Sequence, residues 1–258
     1  VPELDLATWV LLLLAGLTAG WVDAVVGGGG LIQLPALLLV PGMTPVQALA
    51  TNKVGSIMGT STSAVTYARR VQPDLTTAAP MAAAALAGAV GGAALASHLP
   101  AAAFKPVILV VLVAVAVYTV ARPSLGTHTR LRWEGNRHRV SAAGTGLVIG
   151  VYDGVLGPGT GTFLVIALVG VLGYAFLPAS ALAKITNFAT NLGALIFFVP
   201  AGHVVWHLGL AVGAANLVGG YAGARMAVAK GSRFVRVVFV VVVGALIVRL
   251  GYDVVTGA

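Results

Sequence analysis

Apolar runs of roughly membrane-spanning length, about 20 residues, recur along the whole chain with short polar breaks between them. The first runs from about Leu6 to Val26. A short piece, Leu31 to Val40, follows a row of glycines and stops at Pro41-Gly42. The third run is about Pro45 to Tyr67, the fourth Thr77 to Ser97 and the fifth Phe104 to Val120. Arg122 to Arg139 then forms the one long polar stretch. After it the order repeats: Ser141 to Leu156, a short Thr162 to Tyr174, Pro178 to Val199, Val205 to Ala229 and Phe234 to Tyr252. The valine-rich runs would suggest strands in water. In lipid a helix satisfies its own backbone, so all of them read as helices.

The repetition extends to individual residues. An offset of 130 superposes Gly16 on Gly146, Gly20 on Gly150, Asp23 on Asp153, Gly27 on Gly157 and Gly29 on Gly159. An offset of 131 pairs Lys53 with Lys184, and Gly88 and Gly92 with Gly219 and Gly223. The pattern predicts an all-α polytopic membrane protein with two homologous halves of about five hydrophobic segments each. The N-terminal transmembrane repeat is read as 1–121, a basic linker as 122–140 and the C-terminal repeat as 141–258. An odd number of crossings per half makes this an inverted repeat, with discontinuous helices at the glycine motifs. If the glycine-broken pieces are re-entrant, each half has fewer crossings.

Composition sharpens this picture. Of 258 residues, 59% are hydrophobic and 9% charged, with a mean hydropathy of +0.99. A soluble domain carries about 25% charged residues, and one this poor in charge could not cover its surface. The net charge of +8 invites a nucleic-acid reading. The bases instead sit between apolar runs, with no stripe interleaved with aromatics, so no nucleic-acid partner is expected. Arg69-Arg70, the stretch with Arg122, Arg130, Arg132, Arg137 and Arg139, and the group Lys230, Arg233 and Arg236 fall on one side. The positive-inside rule makes that side cytoplasmic, leaving Lys105 and both termini outside. No cysteine is present. The start at Val1 lacks a basic n-region, so no cleavable signal peptide is expected.

Three groups of residues could carry chemistry. The chain leaves helix at Gly27, Gly28, Gly29 and Gly30, and again at Gly157, Pro158, Gly159, Thr160 and Gly161. Each following helix starts with free N–H groups and a positive dipole end, which suits an oxyanion. Plain helix packing is the bland reading of such glycines; their duplication favours a site. Lys53-Ser56-Thr60 and Lys184-Asn187-Asn191 each form a polar stripe on one helix face, and Asn52 precedes the first. Lysines inside apolar sequence are costly and usually functional, although one at a membrane edge can snorkel. Asp23 and Asp153 are either proton carriers or structural, capping the next helix or pairing with a lysine.

The remaining candidates are weaker. The Gly-x-x-x-Gly pairs read as close helix contacts. His98, His128, His138, His203 and His207 fall near segment ends and read as surface residues, with no metal site expected. Trp9, Trp21, Trp133 and Trp206 suit interface anchoring. No nucleophile–base arrangement, cofactor motif or phosphate-binding loop is found, so no enzyme activity is expected.

Asp23 followed by Gly27-Gly28-Gly29-Gly30-Leu-Ile-x-x-Pro35, then Ala50-Thr51-Asn52-Lys53, resembles the first-half signature of the TauE/SafE sulfite exporter family. Gly157-x-Gly159-x-Gly161 and Lys184-x-x-Asn187-x-x-x-Asn191-Leu-Gly-Ala-Leu resemble its second half. The resemblance covers essentially the whole chain. It departs at Pro158 and Thr160, which stand opposite Gly28 and Gly30 and make the two turns chemically unequal. It implies an alternating-access exporter of small sulfur-containing anions, sulfite or organosulfonates, in a prokaryotic cell membrane. Membrane lipid and a small anion are the expected partners, with protons as coupling partner if the aspartates carry them. An anion channel or cation-coupled permease is one competing reading, and a non-transporting scaffold another.

Overall fold

The computed structural model describes residues 4–96 and 128–256. The expected fifth run at Phe104–Val120, with Lys105, His98 and Arg122, lies outside them. The described residues form helices and connecting turns, with no strand among them. In order they are α1 Leu6–Val26, α2 Gly30–Leu38, α3 Pro45–Val71, α4 Leu75–Ala96, α5 Gly135–Val155, α6 Thr160–Ala167, α7 Phe176–Phe198 and α8 Trp206–Thr256. A π-helical turn, Leu168–Leu172, extends α6, and α8 breaks at Gly231 (φ 74°). Of the described helices, α1, α4 and α7 are long and apolar enough to cross a membrane by length and composition alone.

Local chemistry sets the helix ends. Asp5 caps α1 by accepting from Thr8 N at 3.0 Å. Gly27, in the left-handed region at φ 89°, ends it. Thr44 and Gln47 form a reciprocal capping box at the start of α3. Asp74 accepts from Thr76 N at 2.9 Å and from Thr77 Oγ1 at 2.7 Å at the start of α4.

The short pieces turn back instead of crossing. At nine residues, α2 spans about 13 Å, well short of a bilayer core. Gly29 already lies against Ala19 and Asp23, where a Cβ would come within 2.4 Å of the Ala19 carbonyl oxygen. On the other hairpin, α6 folds onto α5 with the Tyr152 and Phe163 rings 5.0 Å apart. Both short pieces thus fold back onto the helices that precede them.

Repeat-related contacts come in pairs, and each joins one half to the other. A Cβ on Gly16 would meet the Val212 carbonyl oxygen at 2.7 Å, and one on its twin Gly146 the Met81 oxygen at 2.2 Å. Gly20 meets Asn216 as Gly150 meets Ala85. Gly219 packs on Leu17 and Trp21 as Gly88 packs on Leu147 and Val151. Thus α1 lies along α8 while α5 lies along α4. The Gly-x-x-x-Gly faces serve as the close helix contacts expected of them.

Basic residues gather at one end of the bundle. Arg130 N and Arg132 N donate to Gly173 O and Leu172 O at 2.7 and 3.2 Å. Tyr174 OH donates to Asp74, just after Arg69-Arg70, and Leu177 N to Ser232 Oγ beside Lys230 and Arg233. Two expectations change here. The polar stretch read as a linker to residue 140 is already helical from Gly135. His138, read as a surface residue, is only 6% exposed. Its Nε2 lies 2.9 Å from Thr77 Oγ1 and 3.3 Å from Tyr174 OH. A polar network that ties α4, α5 and the 173–175 turn accounts for its burial. His128 and His207 are exposed and His203 is half-buried.

The glycine contacts give a matched test within α5. An alanine Cβ at Gly150 would sit 2.2 Å from the Ala85 carbonyl oxygen, whereas one at Gly144 meets nothing within 4 Å. Gly150→Ala should cost about 1–3 kcal/mol from overpacking, read as a lowered melting temperature in detergent. Gly144→Ala should hold or raise it. Equal shifts would contradict the packing described.

Candidate functional site

The site forms where the tips of the two hairpins meet. Gly27 packs directly on Gly161, and a Cβ at Gly27 would fall 2.0 Å from the Gly161 carbonyl carbon. Thr162 N donates to Gly27 O at 3.1 Å, and Thr162 Oγ1 to Val26 O at 3.2 Å. Only glycine admits this approach, and Gly27, Gly157 and Gly159 also hold φ values of 89°, 84° and 83°. The breaks thus place Asp23, one turn before Gly27, and Asp153, one turn before Gly157, beside the α7 and α3 lysines.

Those lysines are fully buried, with Lys53 1% and Lys184 0% exposed. Lys53 Nζ lies 2.8 Å from Asp153 Oδ2 and donates to the Asp153 main-chain oxygen, also at 2.8 Å. Lys184 Nζ lies 2.9 Å from Asp23 Oδ2 and also donates to the Asp23 main-chain oxygen. Each pair links one half of the chain to the other. The aspartates are therefore lysine partners and do not cap the next helices, which start without a side-chain cap.

A cavity of about 10 Å³ lies between the pairs. That is room for about one water. Its wall draws Asp23, Gly27, Gly30, Asn52, Lys53 and Ser56 from the first half, and Asp153, Gly157, Thr160, Gly161, Asn187 and Asn191 from the second. Ten of the fourteen residues proposed from sequence to bind substrate are thus brought together. Gly28, Gly29, Gly159 and Lys184 do not line the cavity. Gly28 and Gly29 lie inside the first turn, Gly159 starts α6 against Leu31 and Phe163, and Lys184 lies behind Asp23.

The wall is rich in polar groups, and several of its donors are already committed: Lys53 and Thr160 to Asp153, and Asn191 to Asn187. Asn52 is 2% exposed, and its Oδ1 has no partner among the described residues. An amide's two ends are interchangeable by a half-turn, so Asn52 can present either an acceptor or an NH₂ group there. Asn191 Nδ2 donates to Asn187 O at 2.8 Å, and Asn187 Oδ1 accepts from Thr190 Oγ1 at 3.3 Å. Among the described residues no group of three or more His, Cys, Asp or Glu side chains could hold a metal.

The two carboxylates are held unequally. Thr160 Oγ1 donates to Asp153 Oδ1 at 2.5 Å. The residue opposite Thr160 in the repeat is Gly30, which has no hydroxyl to offer Asp23.

Some supporting residues were missed in the sequence. Gln33 Nε2 donates to Asn52 O at 3.2 Å, and Asn216 Nδ2 donates to Gln33 Oε1 at 2.6 Å. Tyr67 OH donates to Ala24 O at 2.9 Å, behind Asp23. The available signal was an amide alone in an apolar run, which lipid tolerates only when it is paired.

A family profile described as "Sulfite exporter TauE/SafE" matches residues 12–250. The chain is 38% identical over 254 residues to "Probable membrane transporter protein ORF9" of Sinorhizobium sp., covering 96% of this chain and 95% of that one. It is 31% identical to "Probable membrane transporter protein YfcA" of Escherichia coli K12, over 94% of this chain and 89% of that one. A "Probable membrane transporter protein" of Haemophilus influenzae is 32% identical, over 94% of each chain. No solved structure matches the chain. With a profile running through both glycine turns and both lysine stripes, and relatives aligned almost end to end, the chain belongs to the TauE/SafE family of membrane transporters.

Proposed function

We propose that the chain exports a small sulfur-containing oxyanion, such as sulfite or an organosulfonate, across the cytoplasmic membrane. The observation that carries this reading is the crossed pair of buried lysine–aspartate contacts on either side of one polar cavity. A buried ammonium needs an anionic partner. In the closed form that partner is an aspartate of the other half. An oxyanion entering between the glycine turns competes for the same ammonium groups. It also meets amides and helix N-termini.

The exchange couples anion to proton. A lysine that turns to the substrate leaves its carboxylate buried and unpaired, and such a group takes up a proton. Asp23 is the carrier in this scheme, because Asp153 keeps the Thr160 hydroxyl when Lys53 leaves. The twinned contacts across the halves support an inverted repeat whose two hairpins rock against each other. The cavity of about 10 Å³ is far too small for an oxyanion of four or more heavy atoms, which favours alternating access over an open channel. The arginine-rich end is placed in the cytoplasm.

In proteoliposomes, Lys53→Ala and Lys184→Ala should each weaken sulfite or sulfoacetate binding by roughly tenfold or more, the worth of a charged hydrogen bond. Binding equal to the parent would contradict the site. Removing one charge of a buried pair also costs about 3–5 kcal/mol of stability. Lys53→Met/Asp153→Asn, which removes both charges, should therefore fold better than Lys53→Met alone and still fail to transport.

Asp23→Asn should abolish flux driven by a pH gradient, while Asp153→Asn lowers it less. Equal effects, or unchanged flux in Asp23→Asn, would sink the proton role. Asp74 does not confuse this pH profile. Burial pushes its carboxyl up, but hydrogen bonds from Thr76, Thr77 and Tyr174 outweigh that and hold it at about 2. Its depressed pKa stabilises the fold above the ordinary carboxylate range. That contribution is lost progressively as pH falls from the ordinary carboxylate range through about 2, so it is constant near neutrality.

A further inference from the structure

A second polar feature lies away from the crossed hairpins. A groove of about 720 Å³ runs between α3 and α8 at the arginine-rich end. Arg69, Arg70 and Arg225 line it, with Tyr221 and Val65 about one turn deeper and Val228 level with the arginines. All three arginines are exposed, and among the described residues none forms an ion pair with a carboxylate. Arg225 is already oriented: Nη1 donates to Tyr221 OH at 3.0 Å, and its guanidinium lies 5.5 Å from the Tyr221 ring centroid.

Helix geometry separates this groove from the transport cavity. On α3 the stripe Lys53-Ser56-Thr60 faces inward. Thr62, Val65 and Arg69 ride the face about half a turn away. Among the described residues the groove therefore opens on the outer surface of the bundle, where lipid surrounds a membrane protein. It combines three guanidinium groups without a carboxylate partner among the described residues, the Tyr221 ring and an apolar floor at Val65. Arginine forks match phosphate oxygens in pairs, and basic clefts between membrane helices select anionic headgroups. A water-soluble anion would have no use for the apolar floor, whereas acyl chains would.

We propose that this groove binds the phosphate headgroup of an anionic phospholipid, with the acyl chains running past Val65. The proposal is independent of the transported substrate.

Native mass spectrometry of the whole chain in detergent, titrated with phosphatidylglycerol or phosphatidylcholine, tests it. The parent should retain phosphatidylglycerol and shed phosphatidylcholine, a comparison that needs no variant. Arg69→Gln/Arg70→Gln/Arg225→Gln should retain phosphatidylglycerol about a hundredfold less well, at roughly fivefold per arginine. A charge-matched control, Arg130→Gln/Arg132→Gln/Arg139→Gln, should retain it like the parent. Equal retention of both lipids by the parent, undiminished retention by the groove variant, or equal loss in the control would overturn the proposal. Displacement of the lipid by inorganic phosphate would overturn it in favour of a soluble anion.

Discussion

A lysine ammonium inside a membrane protein cannot stay charged without a partner, and this chain buries two of them. Each finds its carboxylate in the other half, Lys53 with Asp153 and Lys184 with Asp23. Much of the architecture follows from that need. The glycine turns stop α1 and α5 one turn after each aspartate and send the chain back. The tips can then touch only because Gly27 and Gly161 carry no Cβ. The four-residue glycine ridges of α1 and α5 let the flanking helices close to backbone contact. That proximity excludes water and keeps the pairs strong.

The same arrangement explains how a closed molecule could open for an anion. Buried ion pairs add little net stability against their desolvation cost, yet losing one partner is expensive. Such a pair resists random opening and yields to a ligand that replaces the lost charge. In the proposed cycle the oxyanion is that replacement, and a proton neutralises the carboxylate left behind. The asymmetry between Thr160 and Gly30 makes the two pairs inequivalent.

Much of this was legible in the sequence, and particular residues show where legibility ended. Duplicated spacing suggested two halves, and the residues of the i, i+3, i+7 stripes that line the cavity are Lys53 and Ser56 from one, and Asn187 and Asn191 from the other. The nine-residue α2 was visibly too short to cross. Its direction was not visible, because that depends on Gly29 docking against Ala19. Which aspartate pairs with which lysine was equally hidden, since a pairing within each half obeys the same repeat. His138 was misread because it sits in a polar stretch. Its burial comes from Thr77 and Tyr174, which are remote in sequence. Gln33 and Asn216 support Asn52 across three helices, a contact that no local pattern encodes.

The most direct test of the exchange is a structure with sulfite or sulfoacetate bound. The account predicts the anion between the glycine turns, within hydrogen-bond reach of Lys53 or Lys184. At least one of the two lysine–aspartate contacts, 2.8 and 2.9 Å in the closed form, should be broken. An anion bound elsewhere with both contacts intact would contradict it.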